Sequence, residues 1–149
     1  MIFVPPRETL ELDGSELEIA AGVRVTIAST AEGATFDGDR RSRIFDVFGT
    51  LHLQHLTLSR GGNEYVGGGL FLHPGASAAL DHVVISNCTA AAYDTTHVGN
   101  ARGGAAYVSA SAELVLRHSN VSLCTASNTR DGNQAQGGAM YIAGSVTLD

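Results

Sequence analysis

Two cysteines at matching positions of a repeated sequence are the first residues of this chain that could carry chemistry. Cys88 and Cys124 lie 36 residues apart. If successive repeats stack as parallel strands about 4.8 Å apart, the separation of the two Cα atoms allows a disulfide. Stacked side chains seldom direct their Cβ atoms as a disulfide requires, so we favour two inward-facing free thiols. Because no further cysteine or histidine lies at ligand spacing, a zinc site at this pair is not expected.

Three histidines also occupy equivalent positions, each just after the second strand of its repeat. They are His55, His82 and His118. Imidazoles that meet at one corner of a stack could form a structural ladder, hold a metal ion or titrate near neutral pH. The residue types alone leave these three alternatives open.

Three glycine pairs define the period on which these residues recur. Gly67-Gly68, Gly103-Gly104 and Gly137-Gly138 are 36 and 34 residues apart. The six residues that start with each pair are nearly identical in pattern: GGGLFL at 67–72, GGAAYV at 103–108 and GGAMYI at 137–142. A fixed period in this range indicates a stacked repeat architecture.

The segments between the glycine pairs alternate apolar and polar residues with period 2, which predicts strands rather than helices. A one-residue slip, as at Asp81-His82, indicates a corner after which the apolar side chains point inward again. The predicted inward sets are Ile19, Val23, Val25 and Ile27; Ile44, Val47, Leu51 and Leu53, continued by Leu56 and Leu58; Ala78, Leu80, Val83 and Ile85; and Leu114, Leu116, Ser119 and Val121. Short strands that return after one repeat predict a single-domain solenoid over residues 1–149, with about four coils and part of a fifth.

The same blocks resemble a known class of repeat. Residues 67–70, 103–106 and 137–140 are similar to its Gly-Gly-Ala-Ile motif, with Leu, Ala or Met in the Ile position. Residues 85–88 and 121–124 are similar to its Phe-x-x-Asn motif, with Cys in the Asn position. The class is the β-helix repeat of the chlamydial polymorphic outer-membrane proteins and related eukaryotic proteins, and the resemblance covers about residues 17–149.

This resemblance implies an all-β, right-handed parallel β-helix of the pectin-lyase-like type. It also implies an exported, adhesin-like role at a cell surface. Similar sequences usually place asparagine at the corner occupied by His55, His82 and His118. The resemblance therefore implies that the histidines are structural turn residues and not metal ligands.

Composition and charge narrow the classes of function. The 149 residues carry a net charge of −6 and include no lysine. A nucleic-acid partner is not expected, because phosphate neutralisation needs a basic stripe. No apolar run approaches the roughly 20 residues of a membrane helix. The apolar stretch at residues 1–6 is too short for a signal-peptide core, which leaves the compartment open. No cofactor motif is present, and no cofactor is expected.

Two long polar segments, residues 89–102 and 125–136, rejoin the repeat at a glycine pair. Insertions in a solenoid lie on one face, which is often the binding face. We predict a glycan or an extracellular protein as the partner, and a solvated loop without ligand is the alternative. The candidate binding residues are Tyr65, Asp94, His97, Asn100, Arg102, Asn128, Arg130, Asp131 and Asn133.

The favoured function is a non-enzymatic surface module, and the alternative is a polysaccharide lyase or hydrolase. Such enzymes need converging carboxylates and a basic residue. The acidic residues are instead scattered over corners and loops, namely Asp81, Asp94, Glu113 and Asp131. The chain stops directly after a predicted strand at residues 146–149. We therefore expect a piece of a longer solenoid, or end-to-end stacking through the C-terminal coil.

Overall fold

The computed structural model of the chain describes residues 1–92, 100–128 and 134–149, and all regular elements in these ranges are β-strands. No helix among the described residues is long and apolar enough to cross a membrane. The chain passes through the same sheets once per turn, so that each new strand adds to a sheet already begun.

The strands form five successive turns, and a last strand begins a sixth. Turn 1 contains β1 (Ile2–Phe3), β2 (Thr9–Glu11) and β3 (Leu17–Ile19), and turn 2 contains β4 (Arg24–Ala28), β5 (Ala34–Asp37) and β6 (Phe45–Val47). Turn 3 contains β7 (Thr50–Gln54), β8 (Leu56–Ser59), β9 (Gly62–Glu64) and β10 (Leu70–Leu72). Turn 4 contains β11 (Ser77–Asp81), β12 (Val84–Ser86), β13 (Thr89–Ala92), β14 (Ala101–Arg102) and β15 (Ala106–Val108). Turn 5 contains β16 (Glu113–Arg117), β17 (Asn120–Ser122), β18 (Thr125–Asn128), β19 (Ala135–Gln136) and β20 (Met140–Ile142), and β21 (Ser145–Leu148) follows.

Three sheets run the length of the stack. Sheet A has the order β1-β4-β7-β11-β16-β21, sheet B β2-β5-β8-β12-β17, and sheet C β3-β6-β10-β15-β20. Two smaller sheets, D (β9-β13-β18) and E (β14-β19), belong to the later turns. All of these pairings are parallel, which confirms the predicted all-β solenoid of parallel strands. The short strands β1 and β2 extend the stack beyond the coils expected from the sequence.

The core of the solenoid contains most of the predicted inward residues, together with residues outside those sets such as Phe45, Leu70 and Leu72. In sheet A, Leu51 pairs with Ala78 and Ala78 with Leu114, and all three side chains are buried. In the other predicted sets, Ile44, Ile85 and Leu116 are buried as well. Ser119 and Val121 in the last full turn are half-buried.

Val23 is the exception, because its side chain is exposed although the alternation predicted it to point inward. Val23 closes a β-turn in which its N–H donates to the carbonyl of Ala20 at 3.1 Å, directly before β4 begins. This β-turn, and not the strand alternation, therefore sets the direction of the Val23 side chain.

The glycine pairs mark the point where each polar segment rejoins sheet C. The first glycine of each pair has a positive φ, between 58° and 64° for Gly67, Gly103 and Gly137, which favours a residue without a Cβ. The second glycine of the first two pairs, Gly68 or Gly104, lies against the backbone of the next turn. The N–H of Gly104 donates to the carbonyl of Gly138 at 2.9 Å. A Cβ on Gly104 would collide with the carbonyl oxygens of Thr125 and Gly138.

This contact predicts a difference between two substitutions at the same motif position. Gly104→Ala should lower the free energy of unfolding by about 2 kcal/mol or more, since neither carbonyl can move without breaking the stack. Gly138→Ala is the matched control, because the nearest atom to its added Cβ is the Cys124 oxygen at 4.0 Å. Its effect should stay within about 0.5 kcal/mol. Urea denaturation followed by circular dichroism measures both, and equal stabilities for the two variants would contradict the packing argument.

Candidate binding face

Sheet C turns one aromatic side chain outward in each of its last three strands. Leu70 and Leu72 of β10 are fully buried, so the alternation of the strand directs Phe71 between them outward. Parallel pairing places Phe71 beside Tyr107 and Tyr107 beside Tyr141. These three half-buried rings form the aromatic column of this face.

The rings of the column contact one another along the axis of the solenoid. Tyr107 and Tyr141 stack with centroids 5.1 Å apart and planes 13° from parallel, while Phe71 meets Tyr107 edge to face at 5.2 Å. His73 continues the row, 4.0 Å from Phe71, and its ring stacks on that of Phe48 at 3.6 Å. The result is a continuous row of apolar ring edges with the tyrosine hydroxyl groups along it.

A polar edge borders the column where β14 and β19 pair. Asn100 Oδ1 accepts the N–H of Gln134 at 2.9 Å, and Arg102 Nε donates to Gln136 Oε1 at 2.9 Å. Gln136 Nε2 donates in turn to Gln134 Oε1 at 2.7 Å. The guanidinium of Arg102 also lies over the Tyr141 ring, 4.9 Å from its centroid. The polar edge is therefore continuous with the aromatic column.

The structure brings together some of the binding residues predicted from the sequence. Tyr65, Asn100 and Arg102 meet at this edge, where the N–H of Arg102 donates to the Tyr65 carbonyl at 2.7 Å. Asn128 ends β18 of sheet D, a strand that contacts β14. The polar segments 89–102 and 125–136 begin and end as paired strands. Five predicted residues lie outside the described ranges: Asp94, His97, Arg130, Asp131 and Asn133.

The predicted binding set missed the aromatic column, although a signal for it was present. Phe71, Tyr107 and Tyr141 are the fifth residues of the three aligned glycine-pair blocks. Since both neighbours of each aromatic residue are apolar, the blocks resemble buried strands, and only the strand alternation shows that the fifth residue points outward.

A buried ion pair supports the column from the preceding turn. Arg43 Nη1 donates to Asp46 Oδ1 at 2.8 Å, and its Nε and Nη2 donate to the carbonyls of Gly67 and Val66 at 3.0 and 3.1 Å. His73 Nε2 lies 2.9 Å from the same Asp46 oxygen. Burial lowers the pKa of Arg43, and the charges of Asp46 and Glu16 oppose this shift. The guanidinium thus fixes the chain segment that leads into the first glycine pair.

The three histidines form a ladder at the corner between sheets A and B, which is one of the three alternatives that their residue types left open. The rings of His55 and His82 lie 4.8 Å apart, and those of His82 and His118 lie 4.7 Å apart. All three backbones have positive φ, between 47° and 53°. The carboxylate of Asp81 contacts two of the rings, and these hydrogen bonds, first from His118 and then from His82, lower the pKa of Asp81.

Cys88 and Cys124 stack as free thiols. The N–H of Cys88 donates to Cys124 Sγ at 3.4 Å, and each thiol donates to the carbonyl two residues before it, Ser86 or Ser122. Interaction with the Cys124 side chain and burial raise the pKa of the Cys88 thiol. Interaction with the Cys88 side chain, together with the hydrogen bond from the Cys88 N–H, lowers the pKa of the less buried Cys124 to about 7.

The sheet C face combines apolar ring edges, phenol hydroxyls, amides and a guanidinium. Such a surface suits a ligand that has both apolar faces and many hydroxyl groups. Comparisons with protein-family models, with curated proteins and with solved structures find no match to this chain. A ligand for this chain is therefore inferred from the geometry of the face.

The thiol pair generates a prediction for alkylation. Because the thiolate is the nucleophile, reaction of Cys124 with iodoacetamide should rise through a midpoint near pH 7, while Cys88 stays protected in the folded chain. In Cys88→Ala the side-chain donor is lost, and the midpoint should move toward the ordinary value of about 8.5. Peptide mass spectrometry assigns the modified residue. A wild-type midpoint of 8.5 or above would contradict the proposed hydrogen-bond effect.

Proposed function

We propose that this protein is a non-enzymatic β-helix module of a cell surface that binds a glycan on the outer face of sheet C. The observation that carries the proposal is the aromatic column of Phe71, Tyr107 and Tyr141, which adjoins a hydrogen-bonding edge. The column and the edge repeat with the turns of the solenoid. A partner that itself repeats along one direction, as a polysaccharide does, matches this arrangement.

The chemistry of the two parts supports a glycan. Tyrosine offers a rigid amphipathic contact at low cost in side-chain entropy, with an apolar ring for C–H groups and a hydroxyl for hydrogen bonds. At the polar edge, the amides of Asn100 and Gln136 can donate to and accept from sugar hydroxyls. The mutual hydrogen bonds of Arg102, Gln134 and Gln136 hold these groups in place before a ligand arrives. Such preorganisation reduces the entropy lost on binding.

The alternative is a polysaccharide hydrolase or lyase, and one observation favours it. Asp46 lies on the same face with Glu18 as its cross-strand neighbour, and Arg43 and His73 contact its carboxylate. Two neighbouring carboxylates with a basic residue are the groups such reactions use. Asp46 is, however, buried and engaged by both Arg43 and His73. We therefore interpret the cluster as the support of the face and keep binding as the proposed function.

A glycan array tests the binding proposal. The wild-type chain should bind a group of related glycans, and Tyr107→Ala and Arg102→Ala should each weaken binding by about tenfold, the usual effect of removing a central contact. Val84→Ala, an outward-facing change on sheet B, is the control and should bind like the wild type. Binding to no glycan, or equal binding by all four proteins, would contradict the proposal.

Incubation with glycans distinguishes the proposed binding function from the alternative enzymatic function. With polygalacturonate and related glycans, with or without calcium, we expect no shortened products by chromatography. If products appear and Asp46→Asn abolishes them while Val84→Ala does not, the chain is an enzyme and the module proposal is wrong.

A further inference from the structure

The ladder corner between sheets A and B contains three groups that converge on one point. Asp81 Oδ1 lies 2.9 Å from His82 Nδ1 and 3.3 Å from His118 Nδ1. One ligand atom from each of the three residues lies within 4.8 Å of the others. We infer that Asp81, His82 and His118 form a binding site for a divalent transition-metal ion of the zinc class.

The fold explains why these side chains meet. Asp81 ends β11, and its neighbour in the next turn, Arg117, ends β16. The residues that follow, His82 and His118, both have the left-handed backbone that turns the corner, with φ of 53° and 47°. The N–H of His82 donates to the Arg117 carbonyl at 3.0 Å, which ties the two corners together. The backbone therefore places both imidazoles on one side of Asp81 without any ion present.

The donor set matches the chemistry of such an ion. Zinc in proteins is bound by imidazole nitrogens and carboxylate oxygens, and open sites keep positions for water or another ligand beside three protein ligands. The Asp81 carboxylate already faces the Nδ1 atoms of both imidazoles. Arg117, the cation next to His118, is paired with Asp149 at 3.1 Å and does not neutralise Asp81.

The surroundings leave room for the ion and its remaining ligands. A groove of about 450 Å³ runs along the ladder, with Thr57, Val84 and Asn120 of sheet B on one side. Glu32 lines the same groove, but its carboxylate is paired with Arg7 at 2.8 Å. The site therefore combines the Asp81 carboxylate with access for solvent.

A filled site is more compact than the present arrangement. With ligand bonds of about 2.0–2.2 Å at the tetrahedral angle, two ligand atoms of one zinc ion lie about 3.3–3.6 Å apart. The group must therefore contract by about 1.2–1.5 Å from its widest separation of 4.8 Å. The side chains of His82 and His118 are 50% and 67% exposed, so rotation of either ring provides this movement without displacing core residues.

His55 is the natural control for this site. Its ring stacks on the other side of His82, yet Asp81 contacts only the rings of His82 and His118 within the described part of the chain. Removal of His55 takes one imidazole out of the ladder and leaves the three proposed ligands intact. A His55 variant therefore distinguishes an effect of lost metal ligands from an effect of lost ring contacts.

Calorimetric titration of the tag-free chain with zinc chloride tests the inference. We expect one ion per chain, and Asp81→Asn and His118→Ala should each weaken binding at least about tenfold. His55→Ala should stay within about threefold of the wild type. No saturable binding, or equal affinities in all four proteins, would overturn the site.

Histidine resonances in the NMR spectrum of the unmutated chain provide a second measurement that does not depend on how well a variant folds. On addition of zinc, the ring signals of His82 and His118 should shift or broaden first, and those of His52 and His73, which lie elsewhere in the stack, should not. A shift of His52 or His73 before the ladder would contradict the assignment.

Discussion

The parallel register between successive turns is the constraint on which the other features depend. Strands about 4.8 Å apart place each side chain directly beside its counterpart in the next turn. A residue type that recurs in the sequence therefore becomes a column in space. Leu51, Ala78 and Leu114 form such a column inside the solenoid. The histidine ladder forms at a corner and the aromatic column on a face.

The glycine pairs allow the register to persist although the turns differ in length. Thr50 contacts its counterpart Ser77, 27 residues later, whereas Thr89 contacts Thr125, 36 residues later. In the sequence, the additional residues come between the sheet D strand and the sheet C strand of a turn. Each polar segment returns to sheet C through a glycine with positive φ. Because the second glycine lies against the next backbone, the entry point of the first strand is fixed. Sequence variation in the polar segments then leaves the core columns unchanged.

A feature can be predicted from the sequence when the interactions that form it join residues close together in the chain. Strand alternation is local, and it was sufficient for the inward columns and for the histidine corner. The prediction that Val23 points inward was wrong, because a β-turn overrides the strand alternation just before β4. The strands β1 and β2 of the first turn were missed because they contain only 2 and 3 residues. The ion pair of Arg43 and Asp46 and its contacts to the next turn leave no periodic trace, so only the folded chain brings them together.

The inner and outer columns differ in what they contribute to stability, and this difference makes the outer ones suited to function. Truncation of a fully buried leucine such as Leu53 removes contacts worth about 2–5 kcal/mol. A cross-strand pair on an exposed face contributes only about 0.2–1 kcal/mol. Tyr107 and His118 can therefore change with little effect on the fold. Since the aromatic column lies on sheet C and the ladder lies between sheets A and B, a ligand at one site leaves the residues of the other untouched.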